Sequence, residues 1–240
     1  MSKIQTDIFN YKSKEFFINL NREKDIPDPK DKSYGDFVSY EKDKCRRGLN
    51  INGVFIPGRL YYHLNYHKIS LDSVDEYGKD VRSIATPSFR DNEWILFNAY
   101  ENCVKEKEAF VLGGARQISK SESLCSLTLY EINLYLNSEC LLLFTNAPDK
   151  QTFTKKAQVA LQNGEKFMMR PLIDNNWKNT EIRFGITNKD NTTNVIGRLF
   201  MYNTDGGNST EIGAGKALLH GSKLYYADRE GVIEDAKVGD

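Results

Sequence analysis

Gly114-Ala115-Arg116-Gln117-Ile118-Ser119-Lys120-Ser121 is the stretch on which the fold turns. It lies between the short apolar run Ala109-Phe110-Val111-Leu112 and a helical pattern from about Lys120 to Asn137. Strand, glycine-containing turn and helix, in that order, make an anion cradle. The first turn of a helix offers unpaired backbone N–H groups and the positive end of its dipole. Lys120 is spaced to reach the outer phosphate oxygens of a nucleotide, and the Ser121 hydroxyl to coordinate its magnesium. Gly113 and Gly114 permit the tight turn that follows the strand. The nucleotide-binding set is therefore Gly114, Gln117, Ser119, Lys120, Ser121 and Glu122. Ser119 departs from the pattern G-x-x-x-x-G-K-[ST] by standing where the second glycine belongs, at a cost of about 1 kcal/mol if that residue is left-handed. The bland alternative is a solvated turn that happens to contain Lys-Ser.

Downstream, Glu139-Cys140-Leu141-Leu142-Leu143-Phe144-Thr145 has the composition of a buried strand, and a helix is predicted over roughly Lys150 to Asn163. Strand, helix, strand, helix at this spacing implies an α/β fold with a parallel sheet and flanking helices. Glu181–Thr187 and Val195–Tyr202 alternate around Asn188-Lys189-Asp190-Asn191, the pattern of an antiparallel hairpin or of two neighbouring strands. Upstream, residues 1–48 are charged, and Asp25–Lys32 with Pro27 and Pro29 has the look of a loop or mobile arm. Gly48–Gly58 suggests a β-turn or short hairpin. Tyr61, Tyr62, Leu64 and Tyr66 suggest a helical stretch with its aromatics turned inward. After a polar passage, Ser88 or Asp91 is placed to cap a helix running to about Lys107.

The 33 basic and 33 acidic residues cancel, so no global field draws the chain to nucleic acid or anionic lipid. Four scattered cysteines lack zinc-type spacing and suit reduced thiols. No signal peptide opens the chain, and its longest apolar run, Cys140–Phe144, is far too short to cross a membrane. A soluble cytoplasmic setting follows.

The Arg116-Gln117 pair ahead of Lys120-Ser121 resembles the atypical Walker A loop of viral (tailed-phage) terminase large subunits. Gly48–Ile56 followed by Tyr61-Tyr62-His63-Leu64-Asn65-Tyr66 is similar to the aromatic segment ahead of the ATPase core in that family. Phe89-Arg90-Asp91-Asn92-Glu93-Trp94 resembles the stretch just before that core. The resemblance spans about residues 40–216. It implies a P-loop NTPase that uses ATP and Mg²⁺ to pump duplex DNA into a capsid, with the portal and the small terminase subunit as partners in the infected host's cytoplasm. It also implies that Arg116 senses the γ-phosphate. No stretch after the loop supplies an apolar run ending in Asp-Glu, so the P-loop NTPase is expected to be incomplete.

From Ala217 the text changes character. Ala217-Leu218-Leu219-His220-Gly221-Ser222-Lys223-Leu224-Tyr225-Tyr226, then Gly231-Val232-Ile233-Glu234-Asp235-Ala236-Lys237-Val238-Gly239-Asp240, resembles the N-terminal block of inteins. Three segments are expected: 1–85, an arm and aromatic-rich lobe; 86–216, the first part of the ATPase core; and 217–240, a short β-hairpin forming the N-fragment of a split intein. The implied partner is a complementary C-terminal intein fragment carrying the rest of the motor. Lys216 would be the last extein residue and Ala217 the splice-junction position. Splicing begins with an acyl shift to a thiol or hydroxyl, which Ala217 lacks. Either a natural nucleophile was replaced, or the intein uses an alanine-start route. The competing readings are a P-loop ATPase or helicase-like protein without an intein, and a non-catalytic nucleotide-binding module.

Other residues have plainer explanations. His63 and His67, four apart, could seat a metal, but no acidic or cysteine ligand is near them in sequence, so packing is the expected role. Asp205–Thr210 has the composition of a flexible turn, although a phosphate nest is conceivable. Asp75-Glu76 precedes the loop and has no apolar strand before it. His220 either orients the intein junction or is solvated on a hairpin.

Overall fold

The computed structural model describes residues 26–51, 53–74, 79–110, 120–144, 147–173, 177, 181–189, 192–203 and 223–227. Among them are five helices: α1 (Tyr34–Arg47), α2 (Gly58–Asn65), α3 (Asp91–Glu106), α4 (Lys120–Leu134) and α5 (Ala147–Asn163). The strands are β1 (Leu49–Ile51), β2 (Val54–Ile56), β3 (Ile69–Val74), β4 (Asp80–Ala85), β5 (Ser138–Phe144), β6 (Glu181–Thr187), β7 (Thr193–Asn203) and β8 (Lys223–Ala227).

The main sheet has the order β6-β7-β5-β8 and is mixed. β5 is parallel to β7, with Cys140 opposite Leu199, and parallel to β8, with Leu142 opposite Tyr225. β6 and β7 form the expected antiparallel pair. The expected parallel pairing holds for β5 with β7 and β8, and the antiparallel 181–203 pair joins that same sheet through β7. Ala109 and Phe110 carry no strand, while Val111 and Leu112 lie outside the described residues.

Along β5 both faces are largely buried, as expected of a strand between parallel neighbours. Cys140, Leu142 and Phe144 join Ile182, Phe184, Leu199 and Met201 in the main core, against buried α4 and α5 residues such as Leu129, Ile132, Phe153 and Ala157. Leu141, Phe200 and Tyr202 form a smaller cluster with Leu143. α4 stops short of the predicted Asn137. That residue adopts φ +56°, a left-handed conformation asparagine tolerates, and its N–H bonds Ile196 O at 3.0 Å, which turns the chain into β5. α5 begins before the predicted Lys150, with Pro148 in its first turn, where proline costs no hydrogen bond.

The aromatic stretch folds as its composition suggests. β1 and β2 make a hairpin with Ile51 opposite Val54, and α2 buries Tyr61, Tyr62 and Leu64. Tyr62 meets Tyr130 of α4 edge-on, with ring centroids 5.5 Å apart. Two elements have no counterpart in the sequence expectations. α1 occupies part of the presumed arm. Its buried Glu41 accepts hydrogen bonds from the Tyr61 and Tyr66 hydroxyls and pairs with Lys44, while Phe37 packs edge-on to Phe167. Gly48 then ends α1 at φ +74°, and a Cβ on Gly58 would lie 2.1 Å from Cys45 O, so the α1–α2 approach requires glycine. The polar passage after Tyr66 is an antiparallel hairpin, β3–β4, with Arg82 bonded across to Asp72 at 2.9 Å.

Candidate functional site

Lys120 is the first residue of α4; it is half-buried, and Ser121 beside it is exposed. Gly114, Arg116, Gln117 and Ser119 lie outside the described residues. Asp205–Thr210, Lys216, Ala217 and His220 also lie outside them. The first described turn of α4 carries an acidic residue, Glu122, which suits the positive dipole end of a helix. Buried Leu127, Leu129, Ile132 and Leu134 then fasten the helix to the core.

Glu122 itself is engaged below the helix end. Its Oε1 accepts Lys156 Nζ from α5 at 2.9 Å, and its Oε2 lies 3.4 Å from His67 Nε2. Burial acts to raise the Glu122 carboxyl. The His67 contact and the Lys156 ammonium outweigh it and hold the group below its ordinary range. Burial pushes the His67 imidazole down, and His63 adds to this, against the pull of Glu122. With Glu122 ionised and His67 neutral, His67 must donate through Nε2.

The chain of buried polar groups continues away from α4. The His67 ring stacks on His63 at 5.6 Å and 20°, and His63 lies against Phe97 at 5.0 Å. His63 Nε2 is 3.6 Å from Glu93 Oε1 of α3, too long for a hydrogen bond. Both histidines are fully buried, and no group of three or more His, Cys, Asp or Glu among the described residues is arranged to hold a metal ion. Both rings sit in the core, His67 stacked on His63 and His63 against Phe97. Their tie to Glu122 was invisible in sequence, because Lys156 and His67 stand 34 and 55 positions from it.

A second charged centre also escaped the sequence. Arg59 of α2 bonds Glu131 of α4 through Nη2 at 2.6 Å and Glu101 of α3 through Nη1 at 2.7 Å. Its guanidinium sits 5.2 Å from the Tyr100 ring centre and 4.9 Å from that of Tyr130. Arg59, Glu131, Tyr135, Asn137, Ser138 and Glu139 help line a cleft of about 420 Å³. No disulfide joins the four cysteines: Cys45, Cys125 and Cys140 are buried thiols and Cys103 is half-buried.

β8 bears on the C-terminal expectation. The expectation for 217–240 is a short β-hairpin of its own, whereas Lys223–Ala227 lies parallel to β5 within the main sheet, from Cys140 opposite Lys223 to Phe144 opposite Ala227. The other arm of that hairpin, Gly231–Asp240, is outside the described residues. No helix among the described residues is long and apolar enough to cross a membrane. The chain matches no protein-family model and no curated protein.

Proposed function

We propose that this chain is the nucleotide-binding portion of a terminase-type DNA-packaging ATPase, with residues 217–240 the N-fragment of a split intein that joins it to the rest of the motor. One observation supports the nucleotide half: α4, whose first described residues are Lys120 and Ser121, leads into β5 of a sheet with parallel neighbours. That is the context in which a Lys-Ser pair meets phosphates and magnesium. Lys120 steadies the β- and γ-phosphates, Ser121 coordinates Mg²⁺, and Arg116 senses the γ-phosphate. Glu122 is spent on Lys156 and His67, so its role is to hold the helix start in place and not to activate water. Duplex DNA, the portal and the small terminase subunit are partners of the spliced product in the host cytoplasm. The test is titration of the chain with a fluorescent ATP analogue and Mg²⁺. Binding should fall at least tenfold in Lys120→Ala, the loss of one charge-assisted contact, and turnover should be negligible. Absence of Lys120-dependent binding would defeat the proposal.

One observation favours the second reading, a P-loop ATPase whose chain runs on without an intein. β8 joins β5 in parallel, and Leu224-Tyr225-Tyr226-Ala227 is followed in sequence by Asp228. An apolar parallel strand ending on an acid is what holds magnesium in such enzymes. In that reading Asp228→Asn abolishes the Mg²⁺ dependence of nucleotide binding; in the intein reading it leaves binding unchanged.

A further inference from the structure

The balanced net charge hides a local excess on α1. Of its basic residues, Lys44 pairs with Glu41 and Arg47 with Asp43. Lys42 and Arg46, one helical turn apart on the same face, pair with no carboxylate among the described residues, and neither does Arg170. Hydrogen bonds bring the two arginines to one place. Arg46 Nη2 donates to Leu134 O, the last residue of α4, at 3.2 Å. Arg170 donates its backbone N–H to Asn133 Oδ1 at 2.8 Å and Nη1 to Ile196 O at 2.7 Å. Ile196 O also accepts Asn137 N–H, so both guanidiniums are pinned around the end of α4.

Arg46 is exposed, while Lys42 and Arg170 are half-buried. After burial, repulsion from Arg46 and Arg170 is what pulls the Lys42 ammonium below its ordinary value, and Arg46 does the same to Arg170. The C-terminal dipole of α4 offsets only about half a charge of the three. This pinning uses one side-chain N–H of each arginine, Arg46 on Leu134 O of α4 and Arg170 on Ile196 O of β7. It leaves the remaining donors of both forks, and the whole of Lys42, without a counter-charge.

We propose that Lys42, Arg46 and Arg170 form a binding site for a phosphate-type oxyanion at the opposite end of α4 from Lys120 and Ser121. Fixed guanidinium edges match tetrahedral oxyanions bidentately, and the lysine adds a mobile point charge. A helix of 15 residues separates the two sites by about 20 Å, so the site is independent of the nucleotide reading. The oxyanion is either a small phosphate or the phosphodiester backbone of a nucleic acid.

Both sources are tested in the Lys120→Ala chain, which silences the other end of α4. Pyrophosphate is titrated by calorimetry, and a labelled duplex of about 20 base pairs by fluorescence anisotropy at several salt concentrations. Binding of either probe is expected, weakened about tenfold by Lys42→Gln and lost in Lys42→Gln/Arg170→Gln. For the duplex, the slope of log affinity against log salt should shrink by about one for each cation removed. Binding of duplex alone identifies a backbone phosphate, and binding of pyrophosphate alone a small anion. Lys42 makes no hydrogen bond to α4, so Lys42→Glu reverses its charge without uncapping the helix. Failure of both probes to bind, or binding that Lys42→Glu leaves intact, overturns the proposal.

Discussion

Replacing Arg59 by methionine removes the cation that joins α2 to α3 and α4. The structure sets the size of the effect. Arg59 and Glu131 have side chains only 7% and 3% exposed, and Arg59 gives Glu131 two hydrogen bonds, at 2.6 and 3.2 Å. Breaking a buried pair by deleting one partner costs about 3–5 kcal/mol, because the surviving carboxylate stays desolvated. Lost contact of the guanidinium with the Tyr100 and Tyr130 rings adds roughly 1 kcal/mol. Against a typical domain stability of about 5–15 kcal/mol, Arg59→Met should remove about a quarter or more of the folding free energy at 25 °C. Glu101, 19% exposed, is the lesser partner, and Glu101→Gln should cost only about 1 kcal/mol. The double variant Arg59→Met/Glu131→Leu should recover most of the loss, since it removes the stranded charge together with its partner. Urea unfolding followed by far-UV circular dichroism measures all four proteins. An Arg59→Met cost below about 1 kcal/mol, or a double variant as weak as the single, would refute the claim that this pair is desolvated.

Gly58→Ala should destabilise the chain by about 1–3 kcal/mol or more in the same assay, because the new Cβ would sit 2.1 Å from Cys45 O. Glu122 and His67 both have folded values below their unfolded ones, so each stabilises the fold above its unfolded value and that contribution is lost as pH falls. Unfolding free energy should be flat between about pH 6.5 and 8 and fall on acidification, and His67→Phe should flatten the upper part of that fall; above that range burial of the Cys125 thiol makes stability decline again. Ala217→Cys mixed with a complementary intein C-fragment should give thiol-dependent cleavage after Lys216, seen by mass spectrometry; an uncleaved chain would leave the uninterrupted ATPase standing.

Where local pattern and burial agree, the sequence was legible. Trp94 and Phe97 recur at helical spacing, and α3 forms; Cys140–Phe144 is a nearly unbroken apolar run, and β5 forms. The missed elements break that agreement. On α1 the face toward the core carries Glu41, a charged residue made acceptable inside only by Tyr61 and Tyr66 some twenty positions later. β3 and β4 expose Leu71, Val81 and Ile84 and hold together through main-chain pairing, so their composition resembles a loop. The Arg59 centre and the Glu93–His63–His67–Glu122–Lys156 chain join residues from separate helices. No spacing rule links positions 72 apart, such as Arg59 and Glu131.

The position of β8 sharpens what the C-terminal segment must do. If residues 217–240 are an intein fragment, Lys223–Ala227 has to leave β5 when its partner arrives, because a splicing fold needs that strand for its own sheet. The edge of β5 from Cys140 to Phe144 would then stand open for the strand that splicing delivers, and main-chain pairing over five residue positions would pass from one strand to the other. An edge that pairs with any apolar strand in parallel register is an aggregation hazard, and a temporary occupant suppresses it. In the uninterrupted ATPase no exchange occurs, and the β5 amides stay protected throughout. Hydrogen exchange at Leu141–Phe144, with and without the complementary fragment, therefore reports on the same question as the cleavage assay, and does so without any chemistry at Ala217.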